Sequence, residues 1–372
     1  MKPACLAPLR TLHLWLPGYV AGRVRDIADA ERPAIARVWV TLADHFEPWW
    51  RRANERTALD RVQRWVRGWP RVARRHTDDA GHRPCYTFFY PEEQYHSRVL
   101  DALSRLVAMD LADVEVHLHH HADTEGAFVD RVGTFIERLH TRHDLLRCDE
   151  RGIRFGFIHG DWALDNSLPG GRACGLNNEI TLLARLGCYA DFTMPAAPSS
   201  AQTRIVNTIY WAKDDPVRAK SHDTGVSVTA RGSVDGDLLM IPGPLTLNLR
   251  EWRRPLVPRL EVGELAGHCW PTPHRVRLWK RAAPRLGEDL FIKLFAHGAP
   301  EKNARPLLDD DGVLDRTLRY LTEDCRRSGL QVFFVSAWHM WVAVDAIRRG
   351  VDPVRTVAEA RRERVTRLGA AS

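Results

Sequence analysis

The chain has 372 residues, of which 44% are hydrophobic and 27% are charged. This balance is ordinary for a globular protein with a large core, and it excludes a chain that is disordered over most of its length. A formal net charge of +7 would suit a polyanionic partner, but the arginines are spread over the whole sequence and form no tract. We therefore expect no nucleic-acid-binding function.

Short apolar runs alternate with amphipathic stretches from residue 36 onward, a pattern typical of βαβ units and a mostly parallel sheet or barrel. The predicted strands cover residues 36–43, 85–90, 114–118, 154–159, 190–194, 289–295 and 331–336. The predicted helices cover residues 57–75, 94–109, 125–143, 177–186, 314–328 and 338–349. In the helix at 125–143, apolar residues recur every three or four positions, which indicates one buried face.

One domain accounts for most of this pattern. We expect residues 36–340 to form an α/β barrel, preceded by an extension at 1–35 and followed by a helical tail at 341–372. Between residues 195 and 288, Pro, Gly and Trp are frequent and no long helix is evident. This segment is predicted to be a large insertion within the barrel and not a second domain.

Seven cysteines are scattered along the chain without a Cys-x-x-Cys pair. This usage predicts reduced thiols and a cytoplasmic protein, and it argues against a zinc knuckle. The apolar segment near the N-terminus is interrupted by His13, Pro17 and Gly18, so we expect no signal peptide. No eighteen apolar residues run together, so no membrane span is expected either.

Polar residues occur where the predicted strands end. They are Asp44, His45 and Glu47 after the first strand, His117 to His121 after the third, His159 and Asp161 after the fourth, and His297 after a late one. In parallel α/β proteins the carboxyl ends of the strands converge on the site. The sequence therefore predicts a single site built from several segments.

The segment VEVHLHHHADT carries the strongest signal. On a strand, His117, His119 and His121 would share one side, whereas a helix beginning after His117 would place His117 and His121 one turn apart. Either arrangement lets His117 and His121 bind one ion beside a carboxylate and an open position for water. We predict metal ligation by Asp44, His117, His119 and His121. The alternative is a surface histidine run that binds metal only adventitiously.

Three further segments supply candidate acid and base groups. Glu47 follows Asp44 closely in TLADHFEPWW and is predicted to take a proton from water, although this segment could also be a surface loop. His297 ends a strand, which suits a general acid that protonates a leaving nitrogen, or alternatively a structural histidine. The pair His222 and Asp223 in KSHDTG is a weaker candidate for the lining of the pocket.

The segment FGFIHGDWALDNSLPGGR is rich in polar and turn residues directly after an apolar strand. Such a loop is suited to holding a substrate, with His159, Asp165 and Asn166 as polar contacts and Trp162 as a flat face for a sugar ring. Asp161 is a second candidate base. The alternative interpretation is an ordinary Gly-rich loop with Asn and Asp in its turns.

The order of these segments resembles the polysaccharide deacetylase superfamily, which has a NodB-type distorted barrel. In particular, the chain is similar to bacterial proteins of that kind with an Asp-His-Phe-Glu-Pro segment, a His-rich third strand and a His-Gly-x-Trp-Ala-Leu-Asp-Asn-Ser loop. The resemblance covers roughly residues 36–300. It implies an α/β fold, a distorted (β/α)7-type barrel with a large insertion.

In that superfamily a Thr-x-Asp-Asp motif supplies a base and then a metal ligand. TLADH aligns with this motif so that Asp44 takes the ligand position and Ala43 takes the position of the base. The chain departs from the family there, and Glu47 or Asp161 would have to replace the base. The Arg-Pro motif expected after the fourth strand is also replaced, by HGDW.

The superfamily's two-histidine motif falls on His117 and His121, and its late leucine and histidine resemble Leu294 and His297. The resemblance implies a hydrolase that uses a divalent metal, zinc first and cobalt or nickel as alternatives. Its substrate would be an N- or O-acetylated carbohydrate, either an exopolysaccharide or a glycan precursor. The alternative is a catalytically altered barrel that binds carbohydrate without turnover.

Overall fold

A large, mostly parallel sheet with helices packed on it forms the centre of the protein in a computed structural model, which describes residues 11–28, 33–254 and 257–370. The first strands of this sheet are β1 (Arg37–His45), β2 (Tyr86–Pro91), β3 (Ala112–Leu118), β4 (Arg147–Asp149), β5 (Gly152–His159), β6 (Cys188–Asp191), β7 (Tyr210–Ala212), β8 (Gly225–Ser227) and β9 (Leu238–Met240). A separate hairpin of β10 (Thr246–Arg254) and β11 (Val257–Glu261) follows in the chain. The remaining strands of the main sheet are β12 (Glu264–Leu265), β13 (Arg285–Leu286), β14 (Asp289–Ala296) and β15 (Gln331–Phe334).

The strand order is β12-β14-β1-β2-β3-β5-β6-β9-β7-β8, with β15 paired to β1, β13 to β14 and β4 to β5. The pairs from β14 through β1, β2, β3, β5, β6 and β9 are parallel. Parallel neighbours need crossover connections, and helices provide most of these here. The mixed α/β class with a mostly parallel sheet is therefore confirmed.

The helices are α1 (Leu12–Ala28), α2 (Glu55–Ala73), α3 (Ser97–Ala108), α4 (Glu125–His143), α5 (Glu179–Arg185), α6 (Pro273–Ala282), α7 (Glu301–Leu308), α8 (Val313–Arg327), α9 (Ala337–Arg349) and α10 (Pro353–Ala370). All seven predicted strands and all six predicted helices are present. Helix α6, inside the predicted insertion, was not expected. It begins with Thr272, whose hydroxyl accepts from the Arg275 backbone N–H, and with proline in its first turn, both common signals for a helix start.

The predicted insertion at 195–288 contributes to the main sheet. It contains β7 to β13, and all of these strands except the β10–β11 hairpin pair within that sheet. Helix α1 of the N-terminal extension packs on this region through the buried Trp15, which lies in an apolar cluster with Val206 and Leu245. In the C-terminal tail, the buried Arg361 of α10 donates to the Phe334 carbonyl and to Asp110.

The two sides of the parallel strands face different apolar clusters. In β1, Leu42 packs in the cluster that includes Trp65 of α2, whereas Ala43 packs in a separate cluster on the other side of the sheet. Because β1 continues to His45, beyond its predicted end at residue 43, this alternation extends to the polar residues that follow. Asp44 consequently lies on the side of Leu42, and His45 on the side of Ala43.

Within the described part of the chain, no helix combines the length and the apolar character needed to cross a membrane. Of the cysteines in that part, Cys148, Cys174, Cys188, Cys269 and Cys325 are free thiols, and all of these except Cys148 are buried.

Candidate metal centres

Two clusters of metal-ligating side chains lie at the carboxyl ends of β1, β3 and β5. The first, called here the open cluster, consists of Glu47, His117 and His119, with one ligand atom from each within 4.8 Å of the others. Glu47 Oε1 lies 3.8 Å from His117 Nε2 and 4.0 Å from His119 Nε2. The side chain of His119 is 33% exposed, so solvent reaches the cluster. Three protein donors with one accessible side are typical of catalytic metal sites.

The orientation of His117 prepares it to bind a cation. Its Nδ1 lies 2.7 Å from the Ile158 carbonyl oxygen, which can only accept, so the proton is on Nδ1 and the lone pair is on Nε2. This Nε2 is buried and has no hydrogen-bond partner. A buried polar atom without a partner is unfavourable, and a metal ion at this position would satisfy it. The residues present therefore fit a divalent metal.

His119 is held in a comparable way. Its Nδ1 donates to Glu93 Oε1 at 2.6 Å, which leaves Nε2 facing Glu47. A carboxylate on the far nitrogen of a histidine is a common outer shell of metal sites, because it fixes the ring and raises the basicity of the ligating nitrogen. Glu93 was not among the predicted site residues.

Two more histidines adjoin the open cluster. The ring centroid of His45 lies 5.1 Å from that of His117 and 4.7 Å from that of His297. Burial lowers the pKa of His45 well below its ordinary value, and the neighbouring His297 and His117 lower it further. Burial also lowers the pKa of His297, although the Glu47 carboxylate opposes this effect. Both rings are therefore neutral near pH 7.

The Glu47 carboxylate is ionised in this setting. Burial alone would raise its pKa, but the facing imidazoles of His117 and His119 outweigh burial and lower it. Glu47 is thus ready to bind a metal, whereas His119, whose pKa Glu93 and Glu47 raise against the effect of burial, would lose a proton when the ion binds.

A cleft of about 270 Å³ opens beside these residues. Its lining includes Trp162, His297 and Phe295, together with the segment 195–199. The Trp162 ring centroid lies 5.9 Å from that of His45 and 6.1 Å from that of His297, so the cleft leads toward the open cluster. A mostly apolar wall with a few polar groups at one end is the usual form of a small-molecule site.

The second cluster, called here the closed cluster, consists of four buried side chains: His120, His159, Cys174 and Glu179. His120 Nε2 lies 2.8 Å from His159 Nε2 and 3.2 Å from Glu179 Oε1. His159 Nε2 lies 3.4 Å from the same Glu179 oxygen, and Cys174 Sγ lies 3.3 Å from Glu179 Oε2. All four donors belong to the protein, and none of these residues is more than 7% exposed.

Asp44, predicted as a metal ligand, is used elsewhere, which corrects the assignment drawn from the family motif. Its Oδ1 accepts from the Gly298 backbone N–H at 2.7 Å and its Oδ2 accepts from the Tyr86 hydroxyl at 3.0 Å. Burial raises the pKa of this carboxyl to about 7. The physical reason is strand alternation, since Asp44 and His117 lie on opposite sides of the sheet.

His121 also lies outside both clusters. The chain does not turn into a helix after His117, so the one-turn pairing with His121 does not form. The His121 ring instead accepts from the Ala173 backbone N–H at 3.3 Å on the exposed surface. The expectation that the three histidines share one side of a strand therefore holds for His117 and His119, but not for His121.

The residues predicted in the loop after β5 divide into two groups. Trp162 lines the cleft, and the exposed Asp161 lies close enough to His119 to contribute to raising its pKa against burial. Asp165 is instead fully buried, and its Oδ2 accepts from both the backbone N–H and the hydroxyl of Ser221 at 2.6 Å. Asn166 accepts from the Gly175 backbone N–H at 2.6 Å. Asp165 and Asn166 thus shape the loop.

The remaining predicted residues have structural surroundings. His159, predicted to contact substrate, belongs to the closed cluster. His222 is fully buried, with its Nδ1 3.8 Å from Asp165 Oδ2, and Asp223 accepts from the Arg204 backbone N–H. Neither His222 nor Asp223 lines the cleft.

The chain was also compared with models of known protein families and with curated protein sequences, and neither comparison gives a match.

Proposed function

We propose that this chain is a metal-dependent hydrolase that removes an acetyl group from an N- or O-acetylated carbohydrate. The observation that carries the proposal is the convergence of Glu47, His117 and His119 on one point, next to His297, which also lines the cleft. The resemblance of the motif order to polysaccharide deacetylases supports the same reaction class.

Two imidazoles and one carboxylate are donors that zinc prefers, and cobalt or nickel accept the same set. In this site Glu47, His117 and His119 would hold the ion. When bound, such an ion polarises an acyl carbonyl and lowers the pKa of a water molecule. Glu47, predicted from the sequence as a base, is in this proposal a ligand.

His297 is then the group best placed to move protons. It is neutral near pH 7, so it first accepts the proton of the attacking water and then delivers it to the leaving nitrogen or oxygen. The sequence predicted His297 as a general acid, and in this proposal His297 acts first as the base and then as the acid. Asp161, which lies near His119, is the second candidate base.

The cleft suits a sugar ring. Trp162 lines the cleft with an aromatic ring, and aromatic faces pack well against the apolar side of a pyranose. A cytoplasmic location, which the scattered cysteines predict, would make a glycan precursor the substrate in place of a finished polymer.

We also propose that the sheet belongs to a distorted barrel of the polysaccharide deacetylase kind. The Lys293 ammonium on β14 donates at 2.7 Å to the carbonyls of Phe192 and Met194, which follow β6. Strands β14 and β6 are far apart in the strand order, so this contact supports an approach of the two sides of the sheet.

Acetate release from N-acetylated oligosaccharides, O-acetylated oligosaccharides and chromogenic acetyl esters tests the proposal. We expect the parent protein to release acetate, His117→Ala to lose both metal and activity, and the matched control His121→Ala to retain both. Saturable sugar binding without acetate release would instead support the alternative, a barrel that recognises carbohydrate without turnover. Unchanged hydrolysis in His117→Ala would refute the open cluster as the active site.

A further inference from the structure

The closed cluster brings four potential metal donors together at one buried point. His120 Nδ1 donates to Asp123 Oδ2 at 3.1 Å, and His159 Nδ1 donates to the Gly160 carbonyl at 2.5 Å. Each imidazole therefore directs its Nε2 inward, where the two nitrogens are 2.8 Å apart and both face a Glu179 oxygen. Nitrogen and oxygen atoms this close at one buried point need a cation between them, either a proton on His120 Nε2 or a metal ion.

The donor set and its spacing suit one ion in particular. Two imidazoles, a carboxylate and a thiol are ligands that zinc binds in tetrahedral sites, where neighbouring donors are about 3.4 Å apart for bonds of ~2.1 Å. The distances of 3.2 and 3.4 Å from Glu179 Oε1 to the two imidazole nitrogens are close to this value, and the 2.8 Å between the two nitrogens would lengthen when an ion binds. The outer contacts of His120 and His159 also follow the pattern in which a carboxylate or a carbonyl orients a ligating ring.

From this geometry we infer that the closed cluster is a second metal site, of the structural zinc type, which the function proposed above does not require. Four protein donors in a buried position leave no place for a substrate, whereas the open cluster has three donors and an exposed side. The two sites would divide a catalytic and a structural role between adjacent residues, His119 and His120.

The structural role concerns the loop from Gly160 to Asn178, which lies between β5 and α5. Within it, five non-glycine residues have left-handed backbone conformations: Asp161, Trp162, Asp165, Asn166 and Ala173. Such conformations persist only where surrounding contacts enforce them. Ligands at His159, Cys174 and Glu179 would fasten the start, the interior and the end of this loop, and would so hold Trp162 and Asp161 beside the open cluster.

Cobalt substitution gives a readout that does not depend on activity. We expect the cobalt-loaded parent protein to show a thiolate-to-cobalt charge-transfer band in the near ultraviolet, and to contain two metal ions per chain by elemental analysis. Cys174→Ala should lose the band, and Cys325→Ala, which removes another buried thiol remote from both clusters, should keep it. His117→Ala should keep the band and lose one ion.

Limited proteolysis supplies a second measurement if Cys174→Ala does not fold. In His117→Ala, where the closed cluster would hold the remaining ion, chelation should accelerate tryptic cleavage at Arg172, an exposed residue inside the loop. Readdition of zinc should restore protection.

The absence of the charge-transfer band from the fully cobalt-loaded parent, or its persistence in Cys174→Ala, would overturn the inference. Cleavage at Arg172 that is indifferent to chelation would also overturn it. If the cobalt-loaded parent contained one ion per chain and still showed the band, the result would support the closed cluster as a metal site and refute metal binding at the open cluster. The two proposals therefore fail separately.

Discussion

Replacing Asp44 with alanine should destabilise the fold but leave the metal content unchanged. The carboxylate accepts hydrogen bonds from the Gly298 backbone N–H and from the Tyr86 hydroxyl, and all three groups lie in the interior. Alanine leaves both donors buried without a partner, and each such loss costs about 1–3 kcal/mol. We therefore expect the free energy of unfolding at about pH 4 to fall by about 2–6 kcal/mol, and by less near pH 7, where the buried charge of Asp44 already destabilises the parent.

Asparagine at the same position separates hydrogen bonding from charge. Its side-chain oxygen can accept from Gly298 and its amide can donate to the Tyr86 hydroxyl, so the shape of the site is kept while the second hydrogen bond reverses its direction. Because the pKa of Asp44 is raised in the folded state to about 7, the parent protein is more stable when this group is protonated. Parental stability should therefore fall as the pH rises from about 4 through about 7, by roughly 4 kcal/mol at ~1.4 kcal/mol for each unit of pKa.

Urea unfolding of the parent, Asp44→Ala and Asp44→Asn across this pH range measures both effects, and elemental analysis accompanies each sample. Asp44→Asn should lack the Asp44 contribution to the pH dependence, so its stability relative to the parent should increase with pH. If Asp44→Asn instead lost a metal ion while remaining folded, Asp44 would be a ligand, as the family motif implies, and the reasoning from strand alternation would be refuted.

Three further predictions concern the surroundings of the open cluster. Glu93→Gln should weaken metal binding about 10–100-fold, because it removes the carboxylate that accepts from His119 Nδ1. Competition with a chelator measures the metal affinity, and an affinity equal to that of the parent would contradict the prediction. Gly160→Ala should lower the free energy of unfolding by about 1–3 kcal/mol, since its Cβ would overlap the His119 ring and lie 2.8 Å from the Leu118 carbonyl oxygen. A thermal unfolding curve like that of the parent would contradict this expectation. On the acid side of the pH profile, kcat/KM should fall with an apparent pKa below the ordinary histidine value of about 6.5, because burial lowers the pKa of His297 and this base is inactive only when it is protonated. An apparent pKa above that value would exclude His297 as the base.

Local patterns in the sequence were sufficient for the secondary structure. The predicted strands and helices are present because apolar periodicity, which the sequence displays directly, drives both burial and strand or helix formation. The same reasoning placed His117 and His119 together, since residues two apart on a strand share a side. The helix at Pro273–Ala282 was missed although its Thr-Pro start was visible, because the surrounding Pro and Trp suggested irregular structure.

The side on which Asp44 lies depends on where β1 ends. A strand that stops at residue 43 frees the next residues to turn toward the site, whereas the observed strand continues to His45 and fixes their alternation. A difference of two residues in a boundary therefore decided whether Asp44 or His45 faced His117. Pairing with β2 over Leu42 to His45 extends the strand, and that pairing is a tertiary contact.

By itself, the sequence determined that this protein has a parallel α/β core and a histidine-rich strand end, because those properties follow from residues close together in the chain. Only the tertiary structure decided which histidines act together. His120, His159, Cys174 and Glu179 come from separate segments, and no spacing between them marks a shared site. Neighbours such as His119 and His120 have adjacent positions in the sequence but face different clusters, since their side chains leave the backbone in different directions after β3 ends.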